Sequence, residues 1–450
     1  MSLKYIIKNA CIVCTIFILS SCSDFLDVND DPNNPTSVDP EVVLAVAQAS
    51  VGGTIGGDFS IIGGLWSQHW TQSHTANQYR RLDSYDLVAD DYNVSWNEMY
   101  AGGLNDLELI KRGATESGNW NLYLQATVTQ AYGFQIMADF FDKIPYTEAL
   151  KGVENFSPAY DDGQVVYDGL ITALNEALAK NFDGPNVKYI FQDLVFPLGN
   201  KDDQVSAWKK FANTLKLKIY LRQTESSRSA EALAAINAML QSGTEFLDED
   251  AAITQFVDEP NKSNFLYENN VRQLNVGTNL RMSRTIESFL ESNNDLARQN
   301  AYFNPGNTGQ YGLVQGNFNA LTSVIGVNQV SSVKISALDP FYFISLDESL
   351  FLQAEAVLRT GGDARNLYNQ AVSAAYHKFG LSVPATFLEA GGTYGYPSSG
   401  STAEKLKAIM TQKWVAMFKQ GWESFFDQVR TGIPAYSPVA AEDPAYVAGQ

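Results

Sequence analysis

From Glu41 onward, apolar residues recur mostly at the three- and four-residue spacing of amphipathic helices. Val42, Val43, Val46 and Ala49 open the first such run, with Asp39 placed to cap it and Pro40 suited to its first turn. Trp96, Met99, Tyr100, Leu104, Leu107 and Ile110 predict a helix over 93–113, and Trp120, Leu124, Val128, Ala131 and Phe134 another over 119–141. The same period predicts helices over 161–181, 204–224, 228–241, 277–292, 343–360, 363–379 and 402–420. Strand-like pieces are short and few, the better ones being 187–196 and 323–337. Gly/Asn/Ser-rich connections at 258–275, 303–322 and 388–402 are of a length that in compact domains usually carries function. The pattern predicts a mainly α protein whose long loops form a ligand face.

Before Glu41 the chain follows other rules. Lys4 and Lys8 precede a largely apolar stretch from Ala10 to Leu19, followed by Ser20, Ser21 and Cys22. This is the anatomy of a secretory leader, and the apolar run is too short to span a bilayer. A cysteine directly after the small residues resembles the lipobox of bacterial lipoproteins, in which the thiol is acylated and Cys22 becomes the N-terminus. The alternative is an ordinary signal peptide cut near Ser21, with Cys22 incidental. Residues 23–40 read as a solvated leash. Asp27, Asn29, Asp31 and Asn33 alternate like the start of a calcium loop, but Pro32 stands where Gly is needed and Val38 where the bidentate Glu belongs. The expected organisation is a leader at 1–21, a lipidated leash at 22–40 and one helical domain at 41–450. No later stretch is expected to reach transmembrane length, which leaves Cys22 as the membrane attachment.

Composition narrows the function classes. Removing a leader with two lysines and no acid takes the formal charge from −19 to −21. Nucleic-acid phosphate would repel so acidic a chain, so no nucleic-acid partner is expected. Cys11 and Cys14 form a C-x-x-C that leaves with the leader, so neither a disulfide nor a cysteine zinc site is expected. An apolar content of 45% suits a globular core.

Catalytic motifs are absent. The histidines are His69, His74 and His377, the first two spaced five apart and without the Glu of H-E-x-x-H. There is no G-x-S-x-G, no P-loop and no G-x-G-x-x-G. We expect no catalysis, cofactor or metal. Sugar binders instead offer aromatic faces flanked by amides and charged groups. Residues 66–100 hold that mixture, with Trp66, Trp70, Tyr79, Arg81 and Trp96 as candidate ligand contacts. Tyr302, Tyr311 and Phe318 form a second candidate platform, and Tyr394 with Tyr396 a third. The spacing of Trp66, Trp70 and Trp96 fits core packing equally well.

Several motifs together resemble the SusD/RagB family of nutrient-binding lipoproteins of Bacteroidota, in its SusD-like branch. They are Cys22-Ser-Asp-Phe-Leu-Asp-Val-Asn, ADFFDKIPYTEAL at 138–150, AWKKFANTLKLKIYLR at 207–222, FLQAEAVLR at 351–359 and IMTQKWVAMFKQGWESFFDQVRTGIP at 409–434. Asp142 and Lys143 depart from the family's Gly and Asp. The chain also ends in YSPVAAEDPAYVAGQ where members continue with an Arg-rich tail, so a last piece is expected beyond Gln450. LFLQAEAVLRTGGDARNLYNQAVSAAY at 350–376 is similar to a tetratricopeptide hairpin, with Ala354, Ala356, Gly362, Tyr368 and Ala371 at the crossing, and Tyr146 and Ala149 repeat its Tyr-x-x-Ala step. In the third motif Trp208, Phe211, Leu215 and Ile219 are expected inside, with Lys209, Lys210, Lys216 and Lys218 solvated. Arg430 is expected to meet an acid that the sequence does not identify. The resemblance implies tetratricopeptide-like hairpins and a lipid-anchored protein on the outer face of the outer membrane. It also implies capture of an oligosaccharide for a SusC-like TonB-dependent transporter. The alternatives are a peptide binder of the same fold and a lipid-anchored glycan-degrading enzyme.

Overall fold

The structure, a computed structural model, describes residues 39–317 and 322–437. Cys22, the leash as far as residue 38, Phe318 and residues 438–450 lie outside the described residues. Helix α1 (Pro40–Thr54) begins as predicted, Asp39 accepting the Glu41 N–H at 3.0 Å. It runs through a π turn, Ile55–Phe59, into α2 (Ser60–Trp66). This 27-residue helix is apolar and long enough to cross a membrane, contrary to the expectation that no later stretch would be. Leu44, Val51, Ile55 and Phe59 are at most 1% exposed on it, and it is a core helix of this fold.

Next come α3 (Arg80–Asp83), α4 (Asn93–Asn97), a π turn at Glu98–Leu104, and α5 (Asn105–Ser117). Antiparallel pairs follow: α6 (Trp120–Phe141) with α7 (Gly163–Leu178), and α8 (Lys201–Arg222) with α9 (Ser229–Gln241). After α10 (Phe265–Tyr267) and a third π turn at Glu268–Arg272 come α11 (Arg284–Ser292) and α12 (Leu296–Tyr302). The pair α13 (Leu346–Arg359) and α14 (Arg365–His377) precedes α15 (Ala385–Leu388), α16 (Thr402–Ala416) and α17 (Gly421–Thr431). The α13–α14 pair is the tetratricopeptide-like crossing foreseen, with Ala354, Ala356 and Ala371 fully buried. Tyr146 and Ala149 do not repeat it. They lie between α6 and α7, where the Tyr146 ring meets Phe134 edge-on and occupies the space beside Gly169.

Three predicted elements differ. Residues 187–196 form no strand, because buried side chains take their backbone groups: Gln204 binds both the N–H and the C=O of Ile190, and Gln48 Oε1 accepts the Leu194 N–H. The helix expected from residue 277 starts at Arg284, since β5 (Leu280–Met282) pairs with β1 (Trp70–Gln72). The sheet continues through β7 (Ser332–Val333) to β6 (Phe303–Asn304), the part of 323–337 that is extended and paired. Two further two-stranded pairs join β2 (Lys143–Pro145) to β3 (Tyr160–Asp162), and β4 (Ala251–Ile253) to β8 (Phe341–Ile344).

The family-like motifs meet at one place. Lys218 Nζ, expected in solvent, is fully buried between Glu348 (2.8 Å) and Glu423 (2.6 Å). Arg222 reaches Asp139 on α6 at 3.0 Å and Asp427 on α17 at 3.0 Å, and also pairs with Glu423. Lys413 on α16 holds Asp427 at 2.7 Å. The acid partners of Arg430 are Glu355 and Asp427, at 2.5 and 2.9 Å, and Arg359 joins Glu355 at 2.7 Å. Burial pushes the Glu423 and Asp427 carboxyls up, yet the surrounding cations, Lys218 first for Glu423 and Lys413 first for Asp427, hold both below their ordinary values. Removing one partner would leave a buried charge uncompensated. Lys218→Met is therefore expected to cost about 3–5 kcal/mol of unfolding free energy, measured by chemical denaturation; a loss under about 1 kcal/mol would contradict the account.

Candidate ligand-binding cavity

A cavity of about 330 Å³ opens where the loop 77–92 meets the wide turn between α1 and α2. Asn77, Gln78, Tyr79, Arg81 and Leu82 line one side, Asp91 and Tyr92 another, and Asp58 and Ile61 its inner wall. Asp58 is the residue that sequence reasoning missed, although it left a signal: it is the sole formal charge between Glu41 and Arg80. A carboxylate on a buried apolar helix needs partners. Here Ser95 Oγ donates to it at 2.6 Å and Asn269 Nδ2 at 2.8 Å. Each of these residues belongs to or adjoins a π turn, a feature that often marks functional sites.

The loop is held by its own charges. Arg81 donates through Nη1 and Nη2 to both oxygens of Asp91, at 3.2 and 3.0 Å, and through Nε to Asp86 at 3.1 Å. Asp91 also accepts the Val88 N–H at 2.8 Å. Tyr79 is buried, its hydroxyl donating to Asn270 Oδ1 at 3.1 Å and its N–H to Gln72 Oε1 at 2.7 Å. Trp66 braces α3 from behind, Nε1 donating to the Leu82 carbonyl at 2.8 Å. Beneath the loop Asp83 is fully buried and accepts from Thr71 Oγ1 (2.8 Å), Gln315 Nε2 (2.6 Å) and the Gly316 N–H (3.1 Å).

Of the residues singled out from sequence, Tyr79 and Arg81 share this cavity and Trp66 supports it. Trp96 packs edge-on against Phe141 and stacks at 6.1 Å under Tyr160, whose ring is 62% exposed. Ser95 next to it binds Asp58, so this aromatic pair adjoins the cavity wall. The others lie elsewhere. Trp70 is fully enclosed, edge-on to Phe418 and donating to the Ile61 carbonyl, which corrects its reading as a ligand contact. Tyr302 is likewise enclosed, stacked on Phe418 at 4.3 Å with its hydroxyl donating to Val415 O. Tyr394 is 5% exposed and donates to Asp295. Tyr311 is half-buried under the Arg284 guanidinium, outside the cavity lining. All three were expected on loops and so on the surface, but Tyr302 ends α12 inside the core, and the loops of Tyr311 and Tyr394 fold back against neighbouring elements. Among the described residues no group of His, Cys, Asp and Glu could hold a metal ion.

A larger hollow of about 870 Å³ lies on the hairpin side, lined by Leu247, Leu346, Leu350 and Leu367 with Asp248, His377 and Lys378 at its polar positions. Gln353, Asn369 and Gln370 add amides to its wall, but its lining holds neither Tyr nor Trp, whereas Tyr79 and Tyr92 line the smaller cavity.

These features define a helical-hairpin scaffold presenting a small polar ligand cavity. The chain belongs to the SusD-like family described as "Starch-binding associating with outer membrane", whose model matches residues 32–447. Solved structures share the fold. A chitin-binding protein is 22% identical with a TM-score of 0.75, covering 90% of each chain. A SusD homologue from Bacteroides uniformis is 22% identical with a TM-score of 0.71, covering 90% of this chain and 89% of that one. A chitin-binding SusD homologue from Flavobacterium johnsoniae is 21% identical with a TM-score of 0.70, covering 89% and 88%. Among curated proteins none matches.

Burial pushes the Asp83 carboxyl up to about 7, against the pull of Thr71, Gln72, Gly316 and Gln315, from an ordinary value of 3.8. The folded chain thus keeps a proton that the unfolded chain releases. Its stabilising contribution is complete below about pH 4 and is lost as the pH rises through 7. The unfolding free energy of Asp83→Asn relative to the unaltered protein should therefore shift in the variant's favour across that window. A difference that does not change with pH would refute the assignment.

Proposed function

We propose that the protein is a surface-exposed, lipid-anchored glycan receptor that captures an oligosaccharide in the Asp58–Arg81–Tyr92 cavity. It then passes the ligand to a SusC-like TonB-dependent transporter, breaking no bond. The observation that carries this reading is the convergence of Asn77, Gln78, Arg81 and Tyr92 on one opening above an organised polar floor. Amides and aromatic rings are the groups that sugar hydroxyls and ring faces require. The family's description and its chitin-binding structural neighbours support it. Bond cleavage needs two carboxyl groups free to handle a proton and a nucleophile. Of the cavity's two carboxylates, Asp91 is held on both oxygens by Arg81, which leaves Asp58, bound by Ser95 and Asn269, as a single acid rather than a pair.

Anchoring follows from acylation of Cys22, and several acyl chains on one terminus suffice for stable attachment. Residues 41–450 act as one helical unit, with the hairpin side turned to the transporter. Calorimetric titration with neutral oligosaccharides is expected to give saturable binding without product, weakened at least tenfold by Tyr92→Ala or by Arg81→Ala, which opens the loop. Reducing-end release at turnover, or affinity for peptides alone, would overturn the reading. Separately, Cys22→Ala is expected to move the protein from the membrane fraction to the soluble fraction; unchanged membrane retention would place the anchor elsewhere.

A further inference from the structure

The charged groups lining the cavity are Asp58, Arg81 and Asp91. Arg81 is neutralised by Asp86 and Asp91, to which its Nε, Nη1 and Nη2 each donate, leaving an anionic ligand only one further N–H on each terminal nitrogen. Its charge is spent closing the loop. Asp58, by contrast, lines the cavity with two uncharged donors, Ser95 and Asn269, as its hydrogen-bond partners. Neighbouring groups register its charge. After burial, Asp58 is the next cause that raises the Tyr79 and Tyr92 hydroxyls and the Glu98 carboxyl, and Asp91 adds to the effect at Tyr92. The remaining polar lining, Asn77 and Gln78, is neutral and suits hydroxyl and acetamido groups.

Resting on the glycan reading above, we propose that the cavity selects its ligand by charge. It takes uncharged sugar residues, holds residues bearing a free amine more tightly, and turns away uronates and sulfate esters. An ammonium near Asp58 gains a charge-assisted hydrogen bond in a half-buried setting, whereas a carboxylate there meets two like charges and a single cation already paired with Asp86 and Asp91. The discriminating contact is Asp58, with Asp91 contributing field and Arg81 masking only part of it.

The test is calorimetric titration of the full chain with three oligosaccharides of matched length: N-acetylglucosamine oligomers, their partly deacetylated counterparts, and oligogalacturonate. Each is titrated at low and at physiological salt. The expected order is amine, then neutral, then uronate. Each step is about tenfold at low salt, and the amine advantage shrinks as salt is added. Asp58→Asn is expected to reduce the amine-to-neutral affinity ratio toward one. The series on the unaltered protein decides the matter even if the variant folds poorly. Uronate binding as tight as neutral binding, or an amine-to-neutral ratio of one at low salt, would overturn selection by charge while leaving a glycan receptor. Failure of all three sugars to bind would overturn both.

Discussion

The fold depends on one constraint: four buried cations and the partly exposed Arg359, which also reaches Glu225, must be matched by five buried acids at the junction of the helical pairs. Lys218, Arg222, Arg359, Lys413 and Arg430 face Asp139, Glu348, Glu355, Glu423 and Asp427. Removing such groups from water costs several kcal/mol each unless partners are close and hydrogen bonds complete. Completion here is shared among elements: Tyr167 of α7 donates to Asp139, and Gln420, ahead of α17, donates to Glu348. No helix can leave the junction alone. Displacing any one of α6, α8, α13, α16 and α17 would strand a buried charge on a neighbouring helix, so each fixes the placement of the others. Four of the five sequence motifs supply all of these residues except Glu348, so the family signature is chiefly a description of this junction.

The junction reaches the ligand face through α17. This helix starts at Gly421, where its backbone lies directly on α2: a Cβ at Gly63 would stand 2.2 Å from Trp422 N, and one at Gly421 2.5 Å from Gly64 Cα. Side chains are excluded from this crossing, which leaves little slack between charge junction and cavity wall. From α2, Trp66 passes the constraint to Leu82, and the π turn before α2 sets the direction of Asp58. The cavity is thus positioned from behind by rigid elements, although its front is loop.

Much of the frame was legible in the sequence because spacing reports helices well. The pattern at 93–113, 119–141 and 343–379 translates directly into α4–α5, α6 and the α13–α14 pair. What spacing cannot report is the fate of a polar group once the chain packs. Lys209, Lys210 and Lys216, also expected in water, are half-buried, and Lys218 alone among them is fully enclosed; only the acids of α13 and α17, more than a hundred residues away, make its burial possible. Aromatics pose the mirror problem: Trp70 and Tyr302 have the composition of a sugar platform but serve the core around Phe418. Tyr79 and Arg81, singled out through their company of amides and rings, do line one cavity together. Asp58 was readable too, as an isolated charge on an apolar helix. Tyr160, on a short strand far along the chain, left no mark at all.

The segment from Asn77 to Tyr92 carries a further consequence. Its shape is maintained internally by Arg81, Asp86 and Asp91, and it is joined to the body by Tyr79, Leu82 and Asp83. That makes it a cassette. Residues between these anchors can change without disturbing a single pair in the charge junction, so drift in ligand preference and conservation of architecture draw on separate stretches of chain. Under the function proposed above, substitutions in this segment would alter what the cavity holds while every ion pair of the junction stayed in place.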